Sequence, residues 1–439
     1  MRIKEISVKN LFGMFNHIVS MKNDDRITII HGKNGVGKTA LLRMINSLFN
    51  FKTFELFNIP FEEFCVTFEN DSYIRVNKAT KKNSNRQNII LHYREVSWKK
   101  EESFEIKILN TKSIDLQIGI IDSAIPELER IGPKNWLNIN TQEVYSLQDV
   151  IEQFAERLPV DHKLQEQPDW LQKIRKSTHI RFIESQRLLN LSHSRETRYL
   201  GQRPSMMLSV ANYADELAKD IKAKLAEYGL LSQSLDRTFP VRVVQRKSAT
   251  DLTDEELRKK LNELEEKRSH LISTGLLDKD ENPNFQVQEQ IDESTKKVLS
   301  VYVDDVEKKL SLFEDIAERI DIFKRIINQR FSYKQISIKK EKGFVFTSNG
   351  NSLSPDKLSS GEQHELVILY ELLFKVIPNS LILIDEPELS LHVEWQVQFI
   401  KDLQEITKIS ELDVLLATHS PDLIHDRWDL TVELKGNNE

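Results

Sequence analysis

Cysteine is almost missing from this chain: Cys65 is the single one in 439 residues. That excludes an internal disulfide framework and suits a reducing compartment. Long apolar runs are missing too. No stretch approaches the roughly 18–20 apolar residues that a membrane-spanning helix needs. The opening segment MRIKEISVKN alternates and carries charge, so it reads as a first strand and not as a secretory leader. Nor is there an excess of positive charge, since 62 Lys and Arg face 68 Asp and Glu, a net charge of −6. Such a chain does not grip nucleic acid through bulk charge, and any contact of that kind has to be local. These absences predict a soluble, cytoplasmic protein with no membrane partner. Apolar residues reach 39% and charged residues 30%, slightly low and slightly high for a globular chain. That balance fits a globular head carrying long solvated helices.

Glycine is also scarce, with 13 in all, yet Gly32, Gly35 and Gly37 crowd into HGKNGVGKTALLRMI. Residues Gly32 to Thr39 match the phosphate-loop pattern G-x-x-x-x-G-K-[ST] in full. Such a loop wraps a polyphosphate with inward-pointing backbone N–H groups, and side chains at its tight points would block the approach. Lys38 would supply a cation to the β- and γ-phosphates, and the Thr39 hydroxyl would ligate Mg²⁺. A helix opening at Lys38 adds its dipole and free N–H groups. The context agrees, with the strand-like RITIIHG before the loop and the helix-like TALLRMINSLF after it. Gly32, Asn34, Gly35, Gly37, Lys38, Thr39 and Ala40 are therefore the expected ATP-binding residues of this loop.

SLILIDEPELSLH adds a second constraint. Leu381–Ile384 is continuously apolar, as in a parallel strand buried on both faces, and it ends in Asp385 and Glu386. Acids at the carboxyl end of such a strand lie beside the phosphate loop. Asp385 would hold Mg²⁺, and Glu386 would polarise the attacking water as general base. In LSSGEQ, the residues Ser359, Ser360 and Gly361 offer hydroxyls and backbone N–H groups at the start of an amphipathic helix expected to run to Ile377, a second anion site. Gln363 belongs to the same segment. His419 follows another apolar strand, Val414–Ala417.

Residues 1–110 read mostly as short strands, with one clear helix at 38–49. The basic stretch KATKKNSNR reads as a solvated loop. Within 111–178 a helix is expected between a Ser146 cap and Pro159. HIRFIESQ reads as a buried strand. From 205 to 330 the pattern is helical. One apolar run spans Met207–Tyr228, with Gly229 as its C-cap. A capping box, Thr253 and Glu256, opens another run, and a third spans Leu299–Ile327 beyond a polar break. The two runs around the polar break read as an antiparallel helical hairpin. Strands return from 335. The expected division is 1–200 for the first half of a head (with 111–178 as an insertion), 201–334 for a helical arm, and 335–439 for the second half of the head.

This ordered set of motifs resembles the ABC-type ATPases, in particular their SMC and RecF-like branch. The resemblance covers roughly 1–110, 178–200 and 335–439. It implies an α/β fold: an ABC-type P-loop NTPase head, with a mixed sheet and an antiparallel N-terminal sheet, interrupted by a helical-hairpin or coiled-coil arm. It implies that Gln186, after RFIES, is the Q-loop ligand of Mg²⁺ and water. Glu388–His392 would be the D-loop that touches a partner subunit, His419 the switch histidine at the γ-phosphate, and Ser359–Gly361 the signature that reads ATP bound by the opposite subunit. ATP and Mg²⁺ would then sit between two heads of a homo-oligomer. The form DEPELSLH looks like stand-alone prokaryotic ATPases of the overcoming-lysogenization-defect and RecF-like kind. RIGPKNWLN, FIESQRLL and THSPDLIHDRWDLTVELK look like the ATPases of bacterial anti-phage modules, nearest those of the phage anti-restriction-induced system (PARIS), with the Septu type next. That likeness implies a scaffold that holds a separate TOPRIM-like nuclease inactive until a phage trigger protein is sensed. No acid cluster of a nuclease follows His419, so the effector is expected on a partner. A DNA-repair or chromosome-handling ATPase and a scaffold without turnover are the alternatives. Arg187, Arg195, Arg198, Arg203, Arg242 and Arg246 could meet DNA, a trigger or a partner, or pair with the chain's own acids.

Overall fold

A computed structural model describes residues 1–50, 53–80, 87–98, 100–106, 121–122, 124–125, 127–133, 135–138, 144–146, 150, 154, 168–184, 189–190, 207–245, 253–279, 291–354, 357–389 and 391–436. The chain forms two compact units. One joins Met1–Met206 to Val376–Glu439, and the other is Met207–Lys375.

Unbroken apolar segments dictate the centre of the first unit. ITIIH, LILID and DVLLA become strands β3 (Ile27–His31), β17 (Leu381–Asp385) and β18 (Asp413–Ala417), buried along almost their whole length, because a strand covered on both faces has no polar side to show. With β11 (Ile180–Glu184) and β19 (Thr431–Glu433) they form a five-stranded sheet, order β11-β17-β18-β3-β19. All its pairings are parallel. The register aligns Glu184 with Asp385, Asp385 with Ala417, and Ala417 with Ile30. Four strands therefore release their chains at one edge. On this sheet lies helix α1 (Lys38–Phe49), whose Leu41, Leu42, Met44, Ile45 and Leu48 are buried.

The other side of α1 meets an antiparallel sheet. Its strands are β1 (Ile3–Leu11), β2 (Phe15–Ser20), β4 (Glu63–Phe68), β5 (Tyr73–Thr80), β6 (Gln87–Arg94) and β7 (Glu102–Ile106), in the order β2-β1-β4-β5-β6-β7. Here the sequence alternates, and so does burial: every second residue of β4 is inside. Ile6, Val8, Phe64, Val66, Ile74 and Leu91 share one apolar core with α1 and with Leu383 and Leu415 of the parallel sheet. Phe49 meets Phe68 edge-on at 6.2 Å. Arg2 clamps the sheets together, its guanidinium donating two bonds of 2.8 and 2.7 Å to the Asp413 carboxylate, the planar bidentate fit at which Arg exceeds Lys. Helix α2 (Thr53–Asn58) follows α1. Helix α3 (Asp169–Ser177) stacks Trp170 on Tyr93 at 5.2 Å.

A small antiparallel sheet, β8 (Leu128–Arg130), β9 (Asn135–Asn138) and β10 (Val144–Ser146), interrupts the unit. Ser146 is the last residue of β10. The helix expected after it lies largely outside the described residues. A two-residue strand, β12 (Leu189–Asn190), closes the described part of this half.

The second unit opens with the short strand β13 (Met207–Leu208) and a 37-residue helix, α4 (Ser209–Gln245). This helix runs straight through Gly229, so the expected C-cap is not one. Continued packing against later helices outweighs the roughly 1 kcal/mol that an interior glycine costs. Helix α5 (Asp254–Thr274) begins at the expected capping box of Thr253 and Glu256. The third apolar run divides at Leu312 and Phe313 into α6 (Glu293–Ser311) and α7 (Glu314–Arg330). The two helices expected around the polar break are thus three, α5, α6 and α7. Arg242 of α4 pairs with buried Asp305 of α6, so it is a structural cation. Arg187, Arg195, Arg198, Arg203 and Arg246 lie outside the described residues.

A three-stranded antiparallel sheet, β14 (Lys334–Lys339), β15 (Gly343–Ser348) and β16 (Asn351–Leu353), packs on these helices, followed by α8 (Ser360–Phe374). Rings hold this core: Phe323 lies 5.6 Å from both Phe344 and Phe374. Two further helices, α9 (Val393–Ile409) and α10 (Pro421–Ile424), belong to the first unit. Among the described residues no helix is long and apolar enough to cross a membrane.

Gly343 shows how closely α4 meets β15. It has φ +65, and a Cβ there would collide with the Ala214 carbonyl. Gly343→Ala should lower the unfolding free energy by about 2–4 kcal/mol, because strain and backbone overlap add. Urea unfolding of the purified variant measures this.

Candidate functional site

The carboxyl edge of the parallel sheet gathers the motifs of the first unit. From β3 the chain enters the phosphate loop, from β17 it reaches Asp385 and Glu386, and from β18 it reaches Thr418 and His419. The loop is shaped from outside. Gly37 takes φ +100 as the N-cap of α1, and a Cβ there would lie 2.5 Å from Leu11 Cδ2. Only glycine satisfies both demands. Buried His17 of β2 contacts the Val36 carbonyl through Nε2 at 2.7 Å, which makes Nε2 the protonated nitrogen.

Lys38 is folded into its own loop. Its ammonium donates to the carbonyls of Gly32 (3.0 Å) and Lys33 (3.3 Å) and to His419 Nδ1 (3.2 Å). An ammonium only donates. His419 Nδ1 must therefore accept, which leaves its proton on Nε2, and Nε2 faces Glu386 Oε1 at 3.4 Å. Burial pulls the Lys38 pKa below its ordinary value, against the opposing charges of Glu386, Asp385 and Glu388. Lysine, imidazole and carboxylate thus form one line of donors and acceptors.

Thr39 donates its hydroxyl to Asp385 Oδ1 at 3.1 Å. Burial pushes the Asp385 carboxyl up to about 6. The Thr39 hydrogen bond works against this, and the charge of Glu386 adds to it. A hydroxyl and a reluctant carboxylate side by side are hard oxygen donors suited to a cation such as Mg²⁺. Among the described residues no group of three His, Cys, Asp or Glu could hold a metal by itself. Thr39 and Asp385 could supply part of a coordination shell, which water and phosphate oxygens would complete. Glu386 has the left-handed φ of 46°, and its N–H donates to the Ala417 carbonyl at 2.9 Å. Non-glycine residues in that region mark sites where the surroundings enforce a costly geometry.

Asn34 and Gly35 sit exposed at the loop, and Gly32 and Ala40 are half-buried. Gln186 lies outside the described residues. Ser359, Ser360, Gly361 and Gln363 belong to the second unit. There Ser359 caps α8, its Oγ accepting from Glu362 N, while the Ser359 N–H returns a 2.8 Å bond to Glu362. Lys334 donates to both Glu362 oxygens at 2.6 Å, and Gln363 Nε2 holds the Leu358 carbonyl at 2.8 Å. The helix they open ends at Phe374 instead of Ile377 and is buried all round from Glu362 to Leu373. It is not amphipathic. Paired cations, Lys334 on Glu362 and Arg330 on Glu365, let its acids go inside.

Motif reading passed over two side chains that reach this neighbourhood, His17 and Gln396. His17 had a faint signal, a histidine at an inward position of the alternating strand β2. Gln396, buried on α9, had none.

A family model described as an AAA ATPase domain matches residues 1–424. The chain belongs to this family. The family's description implies nucleotide binding. No curated protein matches the chain. Among solved structures, the Smc head domain of Pyrococcus furiosus with an extended coiled coil, bound to the C-terminal domain of ScpA, is similar at 11% identity, covering 99% of this chain and 94% of that one, with a TM-score of 0.34. The SMC head domain of Thermotoga maritima is similar at 10% identity, covering 97% and 91%, with a TM-score of 0.31. Similarity at that level speaks neither to partners nor to chemistry.

His364, in the first turns of α8, is 2% exposed. Its Nε2 has no hydrogen-bond partner among the described residues, and burial pulls its pKa from 6.5 down to about 4. Above pH 6.5 it is neutral whether folded or unfolded and costs nothing. As pH falls from 6.5 to 4 the unfolded chain takes the proton and the folded one does not. Stability should therefore drop by on the order of 3 kcal/mol over that window. Urea unfolding between pH 7 and 4 should show a smaller drop for His364→Leu than for the wild type.

Proposed function

We propose that this chain is a slow, Mg²⁺-dependent ATPase of the ABC/SMC-like kind, working in the cytoplasm as the sensor and scaffold of an anti-phage defence system. The observation that carries the ATPase reading is the line Lys38–His419–Glu386 beside the Thr39–Asp385 pair at one sheet edge. Phosphate oxygens are charged acceptors and would draw Lys38 away from the Gly32 and Lys33 carbonyls, since charge-assisted bonds are about twice as strong as neutral ones. Thr39 and Asp385, with Gln186, would hold the Mg²⁺, which screens phosphate charge when bound. Glu386, released from His419 as Lys38 moves, would accept the proton of the attacking water. His419 would then turn its Nε2–H to the γ-phosphate.

In this reading Ser359, Ser360, Gly361 and Gln363 serve ATP bound by a second copy, so that two heads close on two nucleotides. Turnover is slow because assembly completes the site, and the output is a conformational state. The likeness of RIGPKNWLN, FIESQRLL and THSPDLIHDRWDLTVELK to anti-phage ATPases supports a separate TOPRIM-like nuclease as effector and a phage protein as trigger. The net charge of −6 disfavours the rival reading, a repair or chromosome-handling ATPase that grips DNA.

Lys38→Ala should abolish ATP binding, measured by calorimetry. Glu386→Gln should bind ATP, fail to turn it over and shift the protein to a dimer in light scattering. Wild-type turnover by Glu386→Gln would refute the general base. Tagged at its native locus and held in the ATP state by Glu386→Gln, the protein should copurify with a stoichiometric nuclease-like partner in mass spectrometry. Recovery of DNA and repair proteins without such a partner would favour the rival.

A further inference from the structure

Glu388 stands two residues beyond Glu386, in the 3-10 turn Pro387–Leu389. Its Oε1 accepts two bonds from the neighbouring strand end, 2.8 Å from the Thr418 hydroxyl and 2.7 Å from the His419 N–H. Its Oε2 is buried without a hydrogen-bond partner among the described residues. A second grip runs parallel. Gln396 Oε1 accepts from the Ser420 hydroxyl at 2.7 Å, and its Nε2 donates to the carbonyls of Glu388 (3.3 Å) and Leu391 (3.2 Å). Three consecutive residues, 418–420, are thus held by one turn and one side chain from the segment that carries Glu386.

We propose that Glu388 is a positioning residue that fixes the backbone of His419, so that Glu386 and His419 are carried by one turn and keep their mutual distance during turnover. This rests on the ATPase reading above. The argument is geometric. His419 has a short reach to Glu386 through Nε2 and to Lys38 through Nδ1, and both depend on where its backbone sits. A carboxylate that accepts a backbone N–H makes a charge-assisted bond, among the stronger ones available. Spending a buried carboxylate on a main-chain amide, and leaving one of its oxygens unsatisfied, is costly for stability alone. The same two bonds are what a histidine needs if it must turn at its side chain while its backbone stays still.

The test compares wild type, Glu388→Ala, Glu388→Gln, His419→Ala and the Glu388→Ala/His419→Ala double variant in ATP turnover and ATP affinity. Glu388→Ala should lower kcat about tenfold or more while ATP affinity stays within about threefold, since a misplaced catalytic geometry is paid in rate. Glu388→Gln keeps an oxygen acceptor and should restore most of the lost rate. In the His419→Ala background, Glu388→Ala should cost nothing further, because both act through one group. Unchanged kcat in Glu388→Ala, or independent losses that multiply in the double variant, overturns the proposal. So does a loss of affinity and of Tm together, the mark of a merely structural role. Hydrogen exchange gives a readout free of activity: the His419 amide should exchange faster in Glu388→Ala and near the wild-type rate in Glu388→Gln. If the wild type hydrolyses no ATP, the ATPase reading fails, and the exchange rate still decides. An unchanged His419 amide in Glu388→Ala removes the brace.

Discussion

Everything at the candidate site depends on the parallel register of β3, β17 and β18. Asp385, Ala417 and Ile30 are mutual register partners, so the phosphate loop, the two acids and the histidine leave the sheet at one level. A one-residue slip of β17 would turn Asp385 toward the opposite face of the sheet. The near-continuous apolar character of all three strands gives no face preference by itself. Chain-end contacts supply the missing information: the Arg2 clamp on Asp413, and the Thr418 N–H that donates to the Ile30 carbonyl at 3.1 Å.

Once the register is set, electrostatics decides the side-chain arrangement. Three carboxylates, Asp385, Glu386 and Glu388, converge on one buried lysine. Each is moderated by a different kind of partner: a hydroxyl for Asp385, an imidazole for Glu386, and a backbone amide with a hydroxyl for Glu388. The division lets like charges sit close, each with a partner of its own. A nucleotide with a cation would meet a site whose acids are already sorted by what they hold.

The loop, its helix and both acids were legible in the residue order, because few sequences place glycine, lysine and threonine at those spacings between a strand and a helix. The sheet edge was legible from Leu381–Ile384 and Val414–Ala417, whose lack of alternation admits only burial on both faces. Other features were not. Gly229 read as a stop, yet tertiary packing overrode a local preference. Leu299–Ile327 kept its period across Phe313, so the break between two helices left no mark on the pattern. The full burial of α8 depends on Arg330 and Lys334 lying near Glu365 and Glu362, and such pairs are visible only in three dimensions. By likeness Glu388 read as part of a loop that touches a partner subunit, and nothing in the residue order announced its bonds to Thr418 and His419.

The order of strands along the chain bears on how the first unit comes to exist. The neighbours of β3 in its sheet, β18 and β19, lie near the other end of the sequence, beyond the whole second unit. During synthesis at about 5–20 residues per second, β3 and its loop would wait on the order of 20–80 s for a partner strand. The antiparallel strands β1, β2 and β4–β7 are nearly contiguous and can form early, giving α1 one apolar face to rest on. The glycine loop would thus emerge early, already propped by Leu11, and Asp385, Glu386 and then His419 would be the last parts of that sheet edge to be delivered.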